Sequence, residues 1–598
     1  MLSYPHSMIT IYMIKLKVLK NWINSNYKSW SNLKAFFILA LTIWIAHFWY
    51  SGSFGLYEDD YNRVSKVFDL AWAEIGNYIL HFSNSQGRPL HDGLIYLLSF
   101  LGFKLGGLQS IYWIGYVILT INTFLFYLLL KRLFANQLFA MTGALAFCLF
   151  PADTTKSFLT HSLGIQPSLT FLLAATHCYL SNKKILSYGF ILGSLLCYET
   201  IFPVFLAVPL LQRQWDFKLK RELLRHIIIL GGMIISVIII RKLSIGGVGV
   251  IKNPDFISTI RWSLSNQIYG PFVSISMFFY RPFQALLHLG KLKGELIILI
   301  SFCLAGFVWV LSRLDFTPYR QNISSQNSVF CSENFNYFQH LTKLTLVGFI
   351  FLILAYPLTL TELATEISGR ASRVHVAAVI GASIIVACTC SAILLLANRY
   401  RLKNLAAAIL AAFFALLIGF GIMVQQDYQR SWQYQRAFWT DVIHLAPDLT
   451  DGTVILVDAP LAWGEQIHPF AWSMPSVVGQ LYQFPWQWKN VPKLYKLNPD
   501  WQQKIPANGE MALNNENGLL SYYYPWESAR QVKTSQIILL QEKDGKLVRT
   551  TTPIVVGTKK FSFKPLTNST LDSFEKAYLY DYLITPNNKK SVNYFQPF

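Results

Sequence analysis

The chain has 598 residues, 53% hydrophobic, 15% aromatic and only 14% charged, with a mean hydropathy of +0.36. Soluble domains carry about 25% charged residues, so this composition excludes an ordinary soluble globule and predicts an integral membrane protein. The formal net charge of +20 lies largely between apolar runs, where positive-inside sorting and anionic head groups account for it, and nucleic acid is not an expected partner.

Residues 1–34 interleave Lys15, Lys17, Lys20, Lys28 and Lys34 with Ile, Leu, Val and Trp, the pattern of an amphipathic helix on a cytoplasmic membrane surface. Residues 35–50 carry no charge and end in Trp49 and Tyr50, which predicts a first span with an aromatic interface anchor. No A-x-A-like cleavage site follows it. The amino terminus is expected inside, which puts the next segment outside. That segment carries Glu58, Asp59, Asp60 and then Arg63. Three carboxylates near lipid lose solvation and repel one another, which raises at least one pKa and marks a functional site.

The first outer loop, 51–107, repeats Val64, Val67, Phe68, Ala71, Ile75 and Tyr78 at helical spacing, which predicts a helix along the outer surface. Gln86, Gly87, Arg88, Pro89, Leu90 and His91 follow. Spans are predicted at 108–130, 136–151 and 160–180, closed inside by Lys131–Arg132 and Lys183–Lys184. The run 185–211 holds Glu199, Pro203 and Pro209 and precedes Arg213, Lys218, Lys220, Arg221 and Arg225. Two short helices meeting at 197–200 keep that basic loop inside and put Glu199 outside.

Residues 226–240 cross outward, and 243–293 form a long outer segment whose apolar part, 267–288, is expected to lie in the interface or to dip in and out. Further crossings follow at 295–312, 343–361, 376–397 and 404–424, with an inner loop at 313–341 and an outer loop at 362–375. The fold expected is a polytopic α-helical membrane domain, 35–424, of about 11 crossings. Residues 425–445 read as an amphipathic helix leaving the membrane. Beyond them, β-prone runs separated by Asn, Gly and Pro predict a soluble outer domain, 425–598, of mixed α/β or mostly β type. Tyr482, Phe484, Trp486 and Trp488 are read there as core or membrane-surface packing. Of the seven cysteines, all but Cys331 fall in apolar runs; no disulfide framework or C-x-x-C ribbon is present, and Cys388 and Cys390 are read as packing.

This topology gathers the unusual polar residues on one face. They are Asp59, Asp60 and Arg63; Arg88; Asp153, Lys156 and His161; Glu199; and Arg370, Arg373 and His375. Outer loops are normally poor in Lys and Arg. Transfer from a phosphate-linked donor explains carboxylates and cations together: an acid deprotonates the acceptor hydroxyl while the cations hold the departing phosphate. Arg63, Arg88, Lys156, Arg370, Arg373 and His375 are the donor-phosphate candidates. Asp153, His161 and Glu199 are candidates for supporting, acceptor-binding or metal-binding roles.

The acidic pair Asp59–Asp60 just past the first span, the amphipathic first outer loop, Asp153 opening the second and the soluble carboxy-terminal domain together resemble the GT-C superfamily of membrane glycosyltransferases. That superfamily includes protein O-mannosyltransferases and lipid A aminoarabinose transferases. The resemblance covers the architecture of residues 35–424. It implies an enzyme of the plasma (inner) membrane, its carboxy-terminal domain extracytoplasmic. That enzyme would move a sugar from a polyprenyl-phosphate carrier to a glycan, lipid or protein hydroxyl by inverting displacement, among membrane lipids. It also implies that a loop-one acid is the base, Asp59 first and Asp60 second. The second loop lacks a D-x-D or D-x-E pair, so a divalent cation (Mg2+ or Mn2+) stays open as a cofactor. The run Gly369–His375 matches no general motif of the superfamily, and its phosphate role rests on charge alone. An O-antigen polymerase or ligase is the rival enzyme, and a lipid or polysaccharide transporter is the rival from another class. A transporter predicts charges at midplane depth and internal repeats.

Overall fold

In the computed structural model the described residues are 32–83, 87–134, 136–212, 215–245, 256–291, 294–313, 330–360, 362–470, 473–504, 510–513, 519–521, 530–556, 559–585 and 592–596. The amphipathic segment expected before residue 32, Gln86 and most of the 313–341 loop lie outside them. All eleven runs read as crossings are helical. Among the described residues, seven helices are long and apolar enough to cross a membrane: Asn32–Ser53, Pro89–Leu133, Phe217–Lys242, Gly294–Arg313, Tyr337–Leu354, Arg370–Arg399 and Lys403–Leu445. The other four runs form the shorter helices Gln137–Cys148, Gln166–Leu180, Lys184–Cys197 and Phe202–Leu211.

The break expected in 185–211 falls where the charges required it. Helix Lys184–Cys197 ends at an extended Tyr198, and a 3-10 helix resumes at Phe202. One expectation is corrected. The first loop does not form one surface helix over 64–78; it contains a single turn at Asp60–Arg63, a 3-10 turn at Ser65–Val67 and a separate helix, Ile75–Phe82. Val64, Val67 and Phe68 are fully buried in the core, so their spacing reflects burial on several sides of an irregular segment. Within 51–107 a further helical limb starts at Pro89 and ends at a sharp kink at Gly106–Gly107, beyond which the chain runs on as helix to Leu133. Gly107 sits at φ 68°, a backbone conformation that costs other residues about 1–2 kcal/mol.

Residues 267–288 belong to a 33-residue helix, Phe256–His288, that packs against Lys403–Leu445 and Phe330–Leu354. Arg281 on it is buried, donating to Gln284 Oε1 at 2.6 Å and to the Ile367 carbonyl.

The 43-residue helix Lys403–Leu445 runs unbroken from the bundle into the carboxy-terminal domain. That domain is built on a four-stranded sheet in the order Lys493–Lys496, Val454–Asp458, Ile537–Lys543, Lys546–Arg549. The first three strands are parallel and the last is antiparallel. The Val454–Val457 run is wholly buried, as a strand covered on both faces must be. Asp448, fully buried, accepts two bonds from Arg549 at 2.5 and 3.0 Å and joins the sheet to the end of the long helix.

The domain is docked directly on the first loop. Ser476 donates to Asn62 Oδ1 at 2.7 Å, Ser65 to Gln480 Oε1 at 2.5 Å, and Tyr61 to Gln435 Oε1 at 2.7 Å. Phe484 stacks on Trp488 and both pack against Phe574, whereas Trp486 is 89% exposed.

Candidate functional site

The acidic triplet is buried, and its three side chains have three different sets of partners. Glu58 has φ 43°, in the left-handed region, a strained conformation for a non-glycine residue that fans successive side chains apart. Asp60 turns inward. Its Oδ2 accepts the Tyr57 amide at 3.1 Å and its Oδ1 the Thr160 amide at 2.9 Å. Both oxygens hold backbone in place, so Asp60 ties loop one to the π-helical turn His161–Ile165 that opens helix Gln166–Leu180.

Glu58 and Asp59 meet the turn Arg370–Ala378. Arg370 Nε lies 3.3 Å from Glu58 Oε2 and its Nη1 3.3 Å from Asp59 Oδ2. Arg373 Nη1 is 3.9 Å from the same Asp59 oxygen, and its Nη2 3.4 Å from Glu362 Oε1. Gly369, at φ 61°, opens the turn; a Cβ there would sit 3.5 Å from both the Gln466 carbonyl and His468 Nε2. The turn therefore favours glycine for its backbone conformation, since a Cβ there would meet only ordinary contacts.

The electrostatics separate the three acids. Burial pushes Glu58 up to about 7 although Arg370 pulls against it. Burial would raise Asp59 as well, but Arg370, Arg63 and Arg373 override it and hold that carboxyl at about 2. Burial also pushes Asp60 up to about 7 against its amide hydrogen bonds. Near neutral pH, Asp59 is a fixed anion while Glu58 is poised to gain or lose a proton.

Several buried polar atoms here have no hydrogen-bond partner among the described residues: Glu58 Oε1, Arg373 Nε and both ring nitrogens of His161. His161 lies against Phe158 and within electrostatic reach of Asp59, Arg373 and Arg63. An unpaired buried polar group costs about 1–3 kcal/mol. Several of them together mark the space where a ligand's polar groups would complete the set.

A second cluster stands at the start of helix Pro89–Leu133. Arg88 grips Glu199 through Nε (2.9 Å to Oε2) and Nη2, lies 5.0 Å over the Tyr198 ring, and shares Glu199 with Arg241 at 3.5 Å. Two guanidinium groups on one carboxylate leave a net positive charge. Between the clusters Arg63 Nε pairs with Asp92 Oδ1 at 3.2 Å, and His91 lies within reach of Arg63, Arg88 and His161. The two limbs of Pro89–Leu133 and helix Gln166–Leu180 form an open apolar groove of about 520 Å³, lined by Leu94, Leu98, Trp113, Ile118, Pro167 and Phe171.

Three of the expected donor-phosphate and supporting residues do other work. His375 uses Nδ1 on Tyr356 Oη (2.8 Å) and Ser274 Oγ (3.2 Å), and Nε2 on the Glu366 carbonyl (3.0 Å). It braces the helices behind the arginine turn and has no nitrogen left for phosphate. Asp153 accepts from the amide and hydroxyl of Thr155, and Lys156 donates to the Phe150 carbonyl at 2.6 Å. Both are buried and shape the second loop, whose Thr154 bonds Ser372. Burial raises Asp153 and lowers Lys156 to about 8.

The residues that sequence reasoning passed over are Glu58 as a separate player, Glu362, Asp92 and Arg241. Arg241 carried a signal, since it ends an apolar run on the face where cations are rare. Among the described residues no three His, Cys, Asp or Glu side chains come together as a metal site. The donor set does not fit a divalent cation either, because guanidinium groups already meet the loop-one carboxylates.

No protein family matches the chain in sequence, and no curated protein does. Among solved structures the chain is similar to ArnT from Cupriavidus metallidurans bound to undecaprenyl phosphate, with 11% identity over 72% of this chain and 82% of that one, TM-score 0.34. It is also similar to the apo state of that protein, with 12% identity over 73% and 82%, TM-score 0.29.

Proposed function

We propose that the chain is a membrane glycosyltransferase that moves a sugar from a polyprenyl-phosphate carrier to an acceptor hydroxyl on the extracytoplasmic face. The observation that carries this reading is the contrast between Glu58 and Asp59, one carboxyl poised near 7 with a free oxygen and the other held at about 2 by arginines. A general base works best when its pKa lies near the operating pH. The base therefore moves from Asp59, the first choice by resemblance, to Glu58. Asp59 orients the guanidinium groups, and Asp60 holds the loop.

In this reading Glu58 Oε1 takes the proton of the acceptor hydroxyl as its oxygen attacks the anomeric carbon. The bond from that carbon to the phosphate oxygen breaks with inversion, and the polyprenyl phosphate leaves with the electron pair. Arg88 and Arg241 carry the surplus positive charge suited to that phosphate, next to the amino terminus of helix Pro89–Leu133, whose dipole also favours an anion. The apolar groove suits the first isoprene units of the carrier. No step passes through a metal ion.

The test is release of polyprenyl phosphate, followed by mass spectrometry, when the protein in nanodiscs receives a panel of undecaprenyl-phosphate sugars and membrane glycan, lipid and protein acceptors. Acceptor-dependent release by the wild type and its loss in Glu58→Gln support the proposal. Equal release by a well-folded Glu58→Gln protein overturns the assignment of the base. Absence of release across the panel overturns the reaction.

A further inference from the structure

At the far end of the bundle a second cavity, of about 640 Å³, opens between the turn that joins helices Gln166–Leu180 and Lys184–Cys197 and the start of helix Phe217–Ile245. It lies near Lys131–Arg132, since Arg132 donates to Ser181 Oγ at 2.8 Å. Helix Lys184–Cys197 runs from Lys184 at this cavity to the Tyr198–Glu199 break where Arg88 binds, about 20 Å along its axis, so the cavity is separate from the site.

Its lining includes Lys184, Lys218, Arg221, Arg225 and a single acid, Glu222. Glu222 is already satisfied: Oε1 receives Lys184 at 2.5 Å and Tyr179 Oη at 2.7 Å, and Oε2 receives Gln212 at 2.9 Å. Lys184 also stands 3.1 Å from the centre of the Tyr179 ring. Lys218, Arg221 and Arg225 are exposed and have no carboxylate partner among the described residues. Their spacing puts them on one helix face. They occupy the first turns of the helix, whose amino-terminal amides are met by Asp216, its Oδ1 accepting the Leu219 amide at 3.0 Å, so the cations themselves carry the site's charge. Beside them Ile185, Phe217, Leu224 and Ile228 are exposed apolar side chains, the surface that acyl chains cover in a bilayer.

We propose that this cavity binds the headgroup of an anionic phospholipid. The phosphate lies among Lys218, Arg221 and Arg225, and the acyl chains run along the apolar side chains of the adjoining helices. Glu222, locked by three donors, keeps the pocket shaped without cancelling its charge. The cations match the negative headgroup, and the apolar apron favours a lipid over a purely soluble anion because it can also hold acyl chains.

Native mass spectrometry of the full chain, delipidated in detergent and given phosphatidylglycerol or phosphatidylcholine, tests the site. We expect phosphatidylglycerol to be retained at least tenfold more than phosphatidylcholine. The double variant Arg221→Gln, Arg225→Gln should lose that preference with an unchanged melting temperature. Should the double variant fail to fold, the single exposed substitution Lys218→Gln should still lower the preference measurably. Equal retention of the two lipids overturns the proposal, as does undiminished preference in a folded variant. Displacement of phosphatidylglycerol by millimolar inorganic phosphate would assign the pocket to a free anion and overturn the lipid as its occupant.

Discussion

Asp60 Oδ1 accepts the Thr160 backbone amide at 2.9 Å, a bond between two loops a hundred residues apart in the chain. Together with the Tyr57 amide it uses both carboxylate oxygens of a fully buried side chain. An Asn there presents one acceptor and turns an amide donor toward a backbone N–H. Asp60→Asn should destabilise the protein by about 2–3 kcal/mol, seen as a lower melting temperature in detergent. A variant with wild-type melting and no activity would instead make Asp60 a reacting group.

Glu58→Gln keeps the size of the side chain and removes the basic oxygen. Turnover should fall on the order of a hundred- to ten-thousand-fold, with donor affinity nearly unchanged. Asp59→Asn should act differently, loosening Arg370 and Arg373 and so disturbing KM as well as kcat.

The pH dependence has a defined sign. Glu58 must be ionised to accept a proton, and its folded value is about 7, so kcat should rise with pH through that value. Because its folded pKa is raised from 4.5, its contribution to stability is complete below 4.5 and is lost as pH climbs through 7. Asp59 behaves oppositely: its contribution holds above 3.8 and is lost as pH falls through about 2. Arg370 pulls Glu58 down, so Arg370→Gln should move the rising limb of the pH–rate profile to higher pH. A limb that stays in place would separate Glu58 from the titration.

Arg88 grips Glu199 with two nitrogens while Arg241 shares the same carboxylate. Arg88→Ala should raise the KM for the polyprenyl-phosphate donor more than tenfold. Arg88→Lys should recover little of this, since an ammonium cannot make the paired contact. An unchanged KM in the alanine variant would remove the phosphate from this cluster.

The distribution of Lys and Arg predicts sidedness. A cysteine in place of the exposed Trp486 should react with an impermeant maleimide from outside the cell, and one in place of Lys183 only after the membrane is opened. Reversed labelling would put the Glu58 site on the cytoplasmic side.

How far the residue pattern alone reaches can be judged at particular places. Lys183–Lys184 and the cations at 213–225 demanded a break near Glu199, and the chain breaks at Tyr198; desolvation and charge sorting act on local composition, so such features are legible one segment at a time. Strand Val454–Asp458 is among the β-prone runs expected beyond residue 445, an apolar, β-branched stretch after Gly452. The surface helix over 64–78 failed because burial on several sides of an irregular loop imitates helical spacing. The roles of Glu58, Asp59 and Asp60 were beyond local reading. Three adjacent carboxylates differ only through the left-handed backbone at Glu58 and through partners at Thr160, Glu362, Arg370 and Arg373, which folding alone brings to them. Sequence by itself determined a multi-helix membrane chain with an acidic loop past its first span. Tertiary structure decided which acid is pinned by backbone, which is neutralised by guanidinium and which keeps an oxygen free, because a pKa depends on burial and on the distance to charges remote in the chain.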